Sequence, residues 1–298
     1  MTDEQQSPSG MRGMPGDEWQ EHRPAVFGVA YRLLGSVADA EDVVQDVWLR
    51  TTRTPPAEIA DRRAWLVTVA ARRAYDILRS ARVRREEYVG PWLPEPLLTG
   101  PDAAQPVLVD ESVGAAMMLV MERLNPPERV AFVLRDVFAL ETPRIAGVLD
   151  RTPAATRQLL SRARRKVASA RAAGEAGTGA PRAERERVLL AFRTAYEAGD
   201  LEVLVRLLDP DAVYLTDGGG EVFAARKPIV GGRRVAEVLL RVGRDRLRLR
   251  AAVVEVGGEP ALLCRREGAV HCVDTVVLRG GRIAAYRRQM TPSKLAHL

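Results

Sequence analysis

The chain is poor in the residues that staple or ligate. Among 298 residues there are two cysteines, Cys264 and Cys272, too few for a disulfide framework. They lie eight residues apart, without the paired Cys/His spacing that zinc prefers, so no structural metal is expected. They read as buried thiols, with a redox-sensitive pair as the alternative if they sit on neighbouring strands. Histidine is scarce too, with only His271 and His297 beyond residue 180, which leaves the C-terminal third short of general bases. No apolar run approaches the ~18 residues that cross a bilayer. A membrane-spanning helix is therefore not expected, and with so little cysteine the chain reads as one of a reducing compartment, the cytoplasm. Residues 1–20 mix Asp3, Glu4, Gln5, Ser7, Pro8, Gly10, Arg12 and Pro15 without an apolar run, so they are expected to form a disordered lead and not a secretory signal.

What is present is charge in blocks. Forty-five Lys and Arg against 39 Asp and Glu leave a modest +6, but local density matters more than the total for phosphate binding. Arg157 to Lys166 carries five bases and no acid, whereas Asp39 to Asp46 carries four acids and no base. Oppositely charged segments point to two different macromolecular partners.

Composition divides the chain. Residues 21–88 are Ala-, Val-, Leu- and Arg-rich at helical spacing, broken by Pro55-Pro56, and read as a small bundle. Residues 89–109 form a linker: the stretch VGPWLPEPLLTGPDAAQPVL holds five prolines and two glycines, which forbid a long helix and favour an extended tether. Helical periodicity returns over 110–172, and 173–183, with GEAGTGAP, is a second linker. Residues 184–298 change character. Helices are expected at 184–198 and 200–208. Then Leu247, Leu249, Ala251 and Val253 alternate with Arg246, Arg248 and Arg250, and Gly257-Gly258, Glu267-Gly268 and Gly280-Gly281 mark hairpin turns. This third domain is expected to be α+β with an antiparallel sheet.

In the first segment, Ser36 is suited to cap a helix. Val43, Val44, Val47 and Trp48 form its apolar side, and Asp39, Asp42, Gln45, Asp46 and Leu49 project outward at i, i+3, i+4 spacing. An acidic exposed face can dock a basic partner, though acids near a helix N-terminus also offset the macrodipole. The next helix, RAWLVTVAARRAYDILRSARVRR, interleaves Trp65, Leu66, Val69, Tyr75, Ile77 and Leu78 with Arg72, Arg73, Arg79, Arg82, Arg84 and Arg85. Cations among aromatics suit melted nucleic acid, and they equally suit a solvated arginine face over packed rings. In LETPRIAGVLDRTPAATRQLLSRARRKV, Thr142-Pro143 and Thr152-Pro153 each start a helix, with Leu149-Asp150-Arg151 as the turn. The reading is a helix-turn-helix. Ile145, Ala146 and Leu149 pack on Thr156, Leu160, Ala163 and Val167, which leaves Arg157, Gln158, Ser161, Arg162 and Arg165 outward for bases and phosphates.

In that order, the DAEDVVQDVWLR helix, the WLVTVAARRAYDILR helix, the linker and the helix-turn-helix resemble the extracytoplasmic-function (ECF) sigma factors over about residues 21–172. The resemblance implies two all-α sigma domains, with core RNA polymerase and promoter DNA as partners. Asp39, Asp42, Gln45, Asp46 and Leu49 would contact the polymerase. Trp65, Arg72, Arg73, Asp76 and Arg79 would capture the −10 element, and Arg157, Gln158, Ser161, Arg162 and Arg165 the −35 element. Where the family often has Ala-Arg-Asn-Arg-Ala, this chain has Ala70-Ala71-Arg72-Arg73-Ala74.

A narrower resemblance, to the SigJ-type subgroup with its appended SnoaL-like domain of nuclear-transport-factor-2-like fold, rests on WLPEPL at Trp92 to Leu97 and on Asp217-Gly218-Gly219-Gly220. It implies that Trp92, Leu93, Pro94, Glu95 and Pro96 meet Asp217, Gly218, Gly219 and Gly220 in a regulatory contact inside the chain. Two positions depart from the subgroup. Glu221 stands where Lys is expected, and Thr291-Pro292-Ser293-Lys294-Leu295 stands where Asn-Pro-Asp-Lys-Leu is usual. A different partner is expected at any charged contact these motifs make. SnoaL-like folds include enzymes, so catalysis must be argued from residues. Tyr214, Asp217, Arg226, His271, Asp274 and Tyr286 are the groups to weigh, and with so few histidines no catalytic residue, no cofactor and no metal is expected. A small ligand in the third domain is a candidate partner. The alternatives are a helix-turn-helix regulator that never meets polymerase, and a regulator whose third domain binds or turns over a small molecule.

Overall fold

The computed structural model describes residues 14, 16–53, 59–86, 88–100, 114–174, 180–243 and 249–298. Three helices open the fold: α1 (Gly16–Leu34), α2 (Val37–Thr51) and α3 (Arg62–Glu86). Ser36 caps α2 by accepting from the Asp39 amide at 3.1 Å, as its side chain predicts. Alanines at 70, 71 and 74 of α3 are buried to the last square ångström and let the helices approach closely under Val26, Val29, Leu33, Val43 and Val47. The composition-based lead ends too late. Helix α1 begins at Gly16 and buries Trp19, whose ring lies 5.1 Å from that of Trp48, so residues 16–20 belong to the first domain. Arg82, Arg84 and Arg85 lie outside the residues whose side chains are described.

The second domain comprises α4 (Ala115–Met121), α5 (Pro126–Phe132) with a widened π turn at Val133–Val137, α6 (Thr142–Leu149) and α7 (Pro153–Ala172). Asn125 and Glu128 close a reciprocal capping box on α5. Thr152 caps α7 as expected. Thr142 does not cap α6: Glu141 holds that position without a side-chain cap bond, and Thr142 is already helical. Asp150, at φ 52°, makes the left-handed turn between α6 and α7.

The two helical domains share one apolar cluster, a packing that an extended tether did not predict. Arg129 of α5, 1% exposed, donates through Nε and Nη2 to the Arg32 carbonyl at 3.2 and 3.0 Å. It also pairs with Glu122. Arg72 of α3 reaches the Gly147 carbonyl of α6 at 3.2 Å.

The third domain runs α8 (Arg182–Ala198), α9 (Leu201–Leu207), β2 (Leu208–Asp217), β3 (Ile229–Val230), α10 (Gly232–Val242), β4 (Leu249–Val256), β5 (Glu259–Arg266), β6 (Ala269–Arg279), β7 (Arg282–Gln289) and α11 (Pro292–Leu295). Hairpin turns join β4 to β5, β5 to β6 and β6 to β7 where expected. At the last of these both Gly280 and Gly281 have positive φ, the geometry that matches strand twist in a two-residue turn. The expected sheet was antiparallel throughout. Instead β2 pairs β7 in parallel, with β3, α10 and β4 to β6 supplying the long connection that a parallel pair needs. Leu247, Arg246 and Arg248 lie outside the described residues. The seventh strand is contributed by the linker: β1 (Leu98–Thr99) adds antiparallel to the β4 edge, in the order β1-β4-β5-β6-β7-β2-β3.

Candidate functional site: an interdomain clamp and two exposed faces

The linker lies between the first and third domains and is bonded to both. On one side, Tyr31 donates its hydroxyl to the Glu95 carbonyl at 2.6 Å. The Glu95 amide donates to the Gly35 carbonyl at 2.9 Å, and Glu95 Oε2 accepts from the Val37 amide at 2.6 Å. Glu95 thereby satisfies an otherwise orphaned amide at the start of α2, where a carboxylate also complements the helix dipole. The Trp92 ring lies across Gly35, where an added Cβ would stand 2.6 Å from the indole; only glycine fits there.

On the other side, Asp217 at the end of β2 is fully buried. Its Oδ1 accepts from Tyr88 Oη at 2.6 Å, the Gly219 amide at 3.0 Å and Thr291 Oγ1 at 2.9 Å. Its Oδ2 accepts from the Leu93 amide at 2.7 Å, Gln289 Nε2 at 3.1 Å and Lys294 Nζ at 2.8 Å. Burial by itself would raise the Asp217 pKa, but Lys294 and these donors reverse that and hold it below the ordinary carboxylate value. Burial, then the bond to Asp217, pushes the Tyr88 hydroxyl up, so it stays protonated as a donor.

Lys294 is the centre of the grip. Its ammonium donates to the Leu93 carbonyl at 2.8 Å and stands over the Tyr88 and Trp92 rings, 4.7 and 4.5 Å from their centroids, an aromatic cage for a cation. Gln289 Nε2 also reaches the Leu93 carbonyl at 3.1 Å, and His297 Nε2 donates to the Pro96 carbonyl at 2.8 Å. Of the five expected linker residues only Leu93 bonds to Asp217 itself; Trp92, Pro94 and Pro96 are met by Lys294, Gln289 and His297, and Glu95 turns to the first domain. The three glycines act differently from a direct grip. Gly218 has no room for a Cβ beside the Val222 carbonyl, and Gly219, at φ +61°, passes close under Thr291 and Tyr88. They fold the loop back so that Asp217 can be enclosed.

The two departures from the subgroup pattern meet each other. Ser293 donates its amide to Glu221 Oε2 at 3.2 Å and its hydroxyl to Glu221 Oε1. A Lys and Asp at these positions would make an ion pair, and the Glu and Ser found here keep the contact with the acid on the opposite side.

On α2, Asp42, Gln45 and Leu49 are exposed, with Leu49 54% exposed. Asp39 is half-buried, and Asp46 pairs with Arg73 of α3 at 2.6 Å. On α3, Trp65 packs partly into the shared core, Arg72 is held by α6, Asp76 is exposed, and Arg79 lies over the Tyr75 ring. On α7, Arg157, Gln158, Ser161, Arg162 and Arg165 are all exposed on one face, and Arg162 lies 3.7 Å from Glu128.

Within the third domain, Cys264 and Cys272 are direct cross-strand partners and both are buried. With Asp274 they bring metal-ligating atoms within 4.8 Å of one another. Both Asp274 oxygens are already held by Arg288, at 2.8 and 2.8 Å, with Tyr286 Oη on Oδ2. Burial opposes charge on Arg288, but Asp274 keeps it protonated.

Sequence reasoning missed Tyr88, Gln289 and Tyr31. Lys294 and Thr291 lay inside a quoted motif without an assigned role, whereas nothing in the local pattern marks Gln289, one residue of an ordinary strand.

Comparison with known proteins places these parts in a recognised order. Residues 19–84 match Sigma-70 region 2 and residues 115–167 match Sigma-70, region 4. The chain is 44% identical over 230 residues to the ECF RNA polymerase sigma factor SigJ of Mycobacterium tuberculosis, covering 76% of this chain and 72% of that protein. It is 33% identical over 281 residues to the probable ECF RNA polymerase sigma factor SigI of the same species, covering 93% of each. The crystal structure of M. tuberculosis SigJ aligns with a TM-score of 0.76 at 34% identity, over 95% of this chain and 98% of that one.

Proposed function

Because the chain belongs to the extracytoplasmic-function RNA polymerase sigma factors, we propose that its two helical domains dock core polymerase and read a bipartite promoter while the SnoaL-like third domain regulates them from within. The observation that carries this reading is the clamp, in which one linker segment is bonded to the start of α2 through Glu95 and to the third domain through Leu93. Any movement of the third domain is therefore transmitted to the helix whose exposed Asp42, Gln45 and Leu49 face the polymerase, together with Asp39 and Asp46. Fusion supplies an effective concentration on the order of mM, so the contact forms without a separate regulator.

The exposed α7 face reads the −35 element, with Arg157 and Gln158 suited to guanine and adenine edges and Ser161, Arg162 and Arg165 to phosphates. The −10 group is engaged within the fold: Trp65 sits against the core, Arg72 binds α6, and Arg73 binds Asp46, while Asp76 and Arg79 are open. Capture of melted DNA therefore requires α3 to part from α6, and the closed packing is the restrained state. Among the described residues no helix is long and apolar enough to cross a membrane, in keeping with action on polymerase in the cytoplasm.

Regulation is favoured over catalysis in the third domain. Asp217 is consumed by the clamp, Asp274 by Arg288 and Tyr286, and among the described residues the cavity that His271 lines has no carboxylate on its wall. An acid and a histidine within reach of each other are what proton transfer needs. Run-off transcription with purified core polymerase, comparing the full chain with W92A and D217A, tests the proposal. Altered output with retained core binding is expected. No promoter-specific transcript from any of the three across a promoter library would overturn it.

A further inference from the structure

Beyond the clamp, the third domain holds a cavity of about 300 Å³, at the lower bound of volumes that take small ligands. Its floor is apolar and aromatic, with Tyr214, Val238, Val242 and Met290. Among the described residues its polar groups are all donors or neutral: Tyr196, Thr216, Arg266, His271 and Arg288 line it, and no carboxylate does. Arg288 is neutralised by Asp274 behind the wall.

Arg266 is different: among the described residues no carboxylate pairs with its guanidinium, and its Nε is enclosed without a hydrogen-bond partner. A cation without a counter-ion on the wall of an apolar cavity marks where an anion belongs. The Tyr196 hydroxyl packs against Gly243, where a Cβ would lie 2.1 Å from it, and beside Arg288, so it borders the cavity without opening onto it. Burial, then Arg266 and Arg288, holds the pKa of His271 down against the opposing pull of Asp274. At the mouth stands Phe223, 93% exposed, an apolar surface that an apolar ligand body would cover.

We infer that this cavity is a binding site for a small amphipathic carboxylate, its anionic head received by Arg266 and His271 and its apolar body lying over Tyr214, Val238 and Met290 toward Phe223. The inference deepens the regulatory reading of the third domain and rests on it. Strand periodicity gives the site its place in the fold. Thr216 of β2 and Arg288 of β7 face the cavity, as does Met290 just beyond β7, while their neighbours Asp217 and Gln289 face the linker. The ligand site and the clamp are thus the two faces of one strand pair.

Isothermal titration of the full chain with octanoate, and with 1-octanol as its neutral counterpart, tests the site. Octanoate is expected to bind saturably with a Kd below ~1 mM, and octanol at least ~10-fold more weakly. R266Q should weaken octanoate by about 10-fold. H271Q keeps a polar side chain on the cavity wall without the imidazole, so it should weaken octanoate by roughly 3-fold while leaving the melting temperature in place. Equal affinity for the acid and the alcohol, no saturable heat from octanoate up to ~10 mM, or unchanged binding in both folded variants overturns the inference. Promoter-directed transcription by the same preparation is read separately, so loss of the ligand site and loss of the sigma-factor reading are distinguishable.

Discussion

Replacing Lys294 by alanine tests the clamp at its buried ion pair. The ammonium lies 2.8 Å from Asp217 Oδ2, with the two side chains 11% and 0% exposed. Removing one member of a buried pair costs roughly 3–5 kcal/mol, mainly because the other charge is left uncompensated. Asp217 would keep five donors, from Tyr88, Leu93, Gly219, Gln289 and Thr291, which places the cost near the lower bound, about 3 kcal/mol. At 1.36 kcal/mol per decade that is on the order of 100-fold in the closing equilibrium of the clamp. The Leu93 amide reports it directly, since it donates to Asp217 Oδ2. Its hydrogen-exchange protection is expected to fall by about 100-fold in K294A, while amides in the middle of α1 keep theirs. K294M, which retains the stem without the charge, should behave like K294A if the ion pair dominates and like wild type if packing does. The pH dependence has a definite sign. Asp217 is held below its ordinary pKa, so its contribution is complete above the unfolded value of about 3.9 and is lost only as pH falls through the depressed one. Leu93 protection in the wild type should therefore stay flat from neutral pH down to about 5. Unchanged Leu93 exchange in a folded K294A chain would refute the reasoning.

Three further outcomes are expected. E221K should weaken the Ser293 contact, and E221K with S293D should recover it, with a coupling energy of about 0.5–1 kcal/mol in a double-mutant cycle read by thermal denaturation; additivity of the two changes would show that these positions do not interact. D42K reverses an exposed charge on α2, and it should lower affinity for core polymerase at least ~10-fold in a co-elution titration without moving the melting temperature; undiminished binding would remove α2 from the interface. R157A should cost about 1–3 kcal/mol of promoter affinity and relax preference at one base position; a uniform loss across all sequences would mean that Arg157 contacts phosphate only.

Much of this architecture is written in local chemistry. The Ser36 and Thr152 caps, the Asp150 turn between α6 and α7, the three glycine-bearing hairpins and the outward faces of α2 and α7 each depend on residues a few positions apart, and spacing alone fixes their geometry. The same locality explains the errors. Trp19 looked like part of a polar lead because its partner, Trp48, sits on another helix. The sheet was read as antiparallel because hairpins announce themselves in sequence, whereas the parallel β2–β7 pair needs the intervening elements to be placed first.

The sequence by itself determined most helices, the hairpins, the helix-turn-helix and the separation of acidic from basic segments, since these follow from periodicity and capping within one or two turns of chain; α10, inside a stretch read as strands, was missed. Only the tertiary structure decided that α3 packs on α5 and α6, that the linker becomes a strand of the third domain's sheet, and that Tyr88, Leu93, Gln289 and Lys294 converge on Asp217. Lys294 and Leu93 are 201 residues apart. No local pattern encodes a contact of that span, because a buried charge selects its donors by position in space, after the strands and helices that carry them have packed.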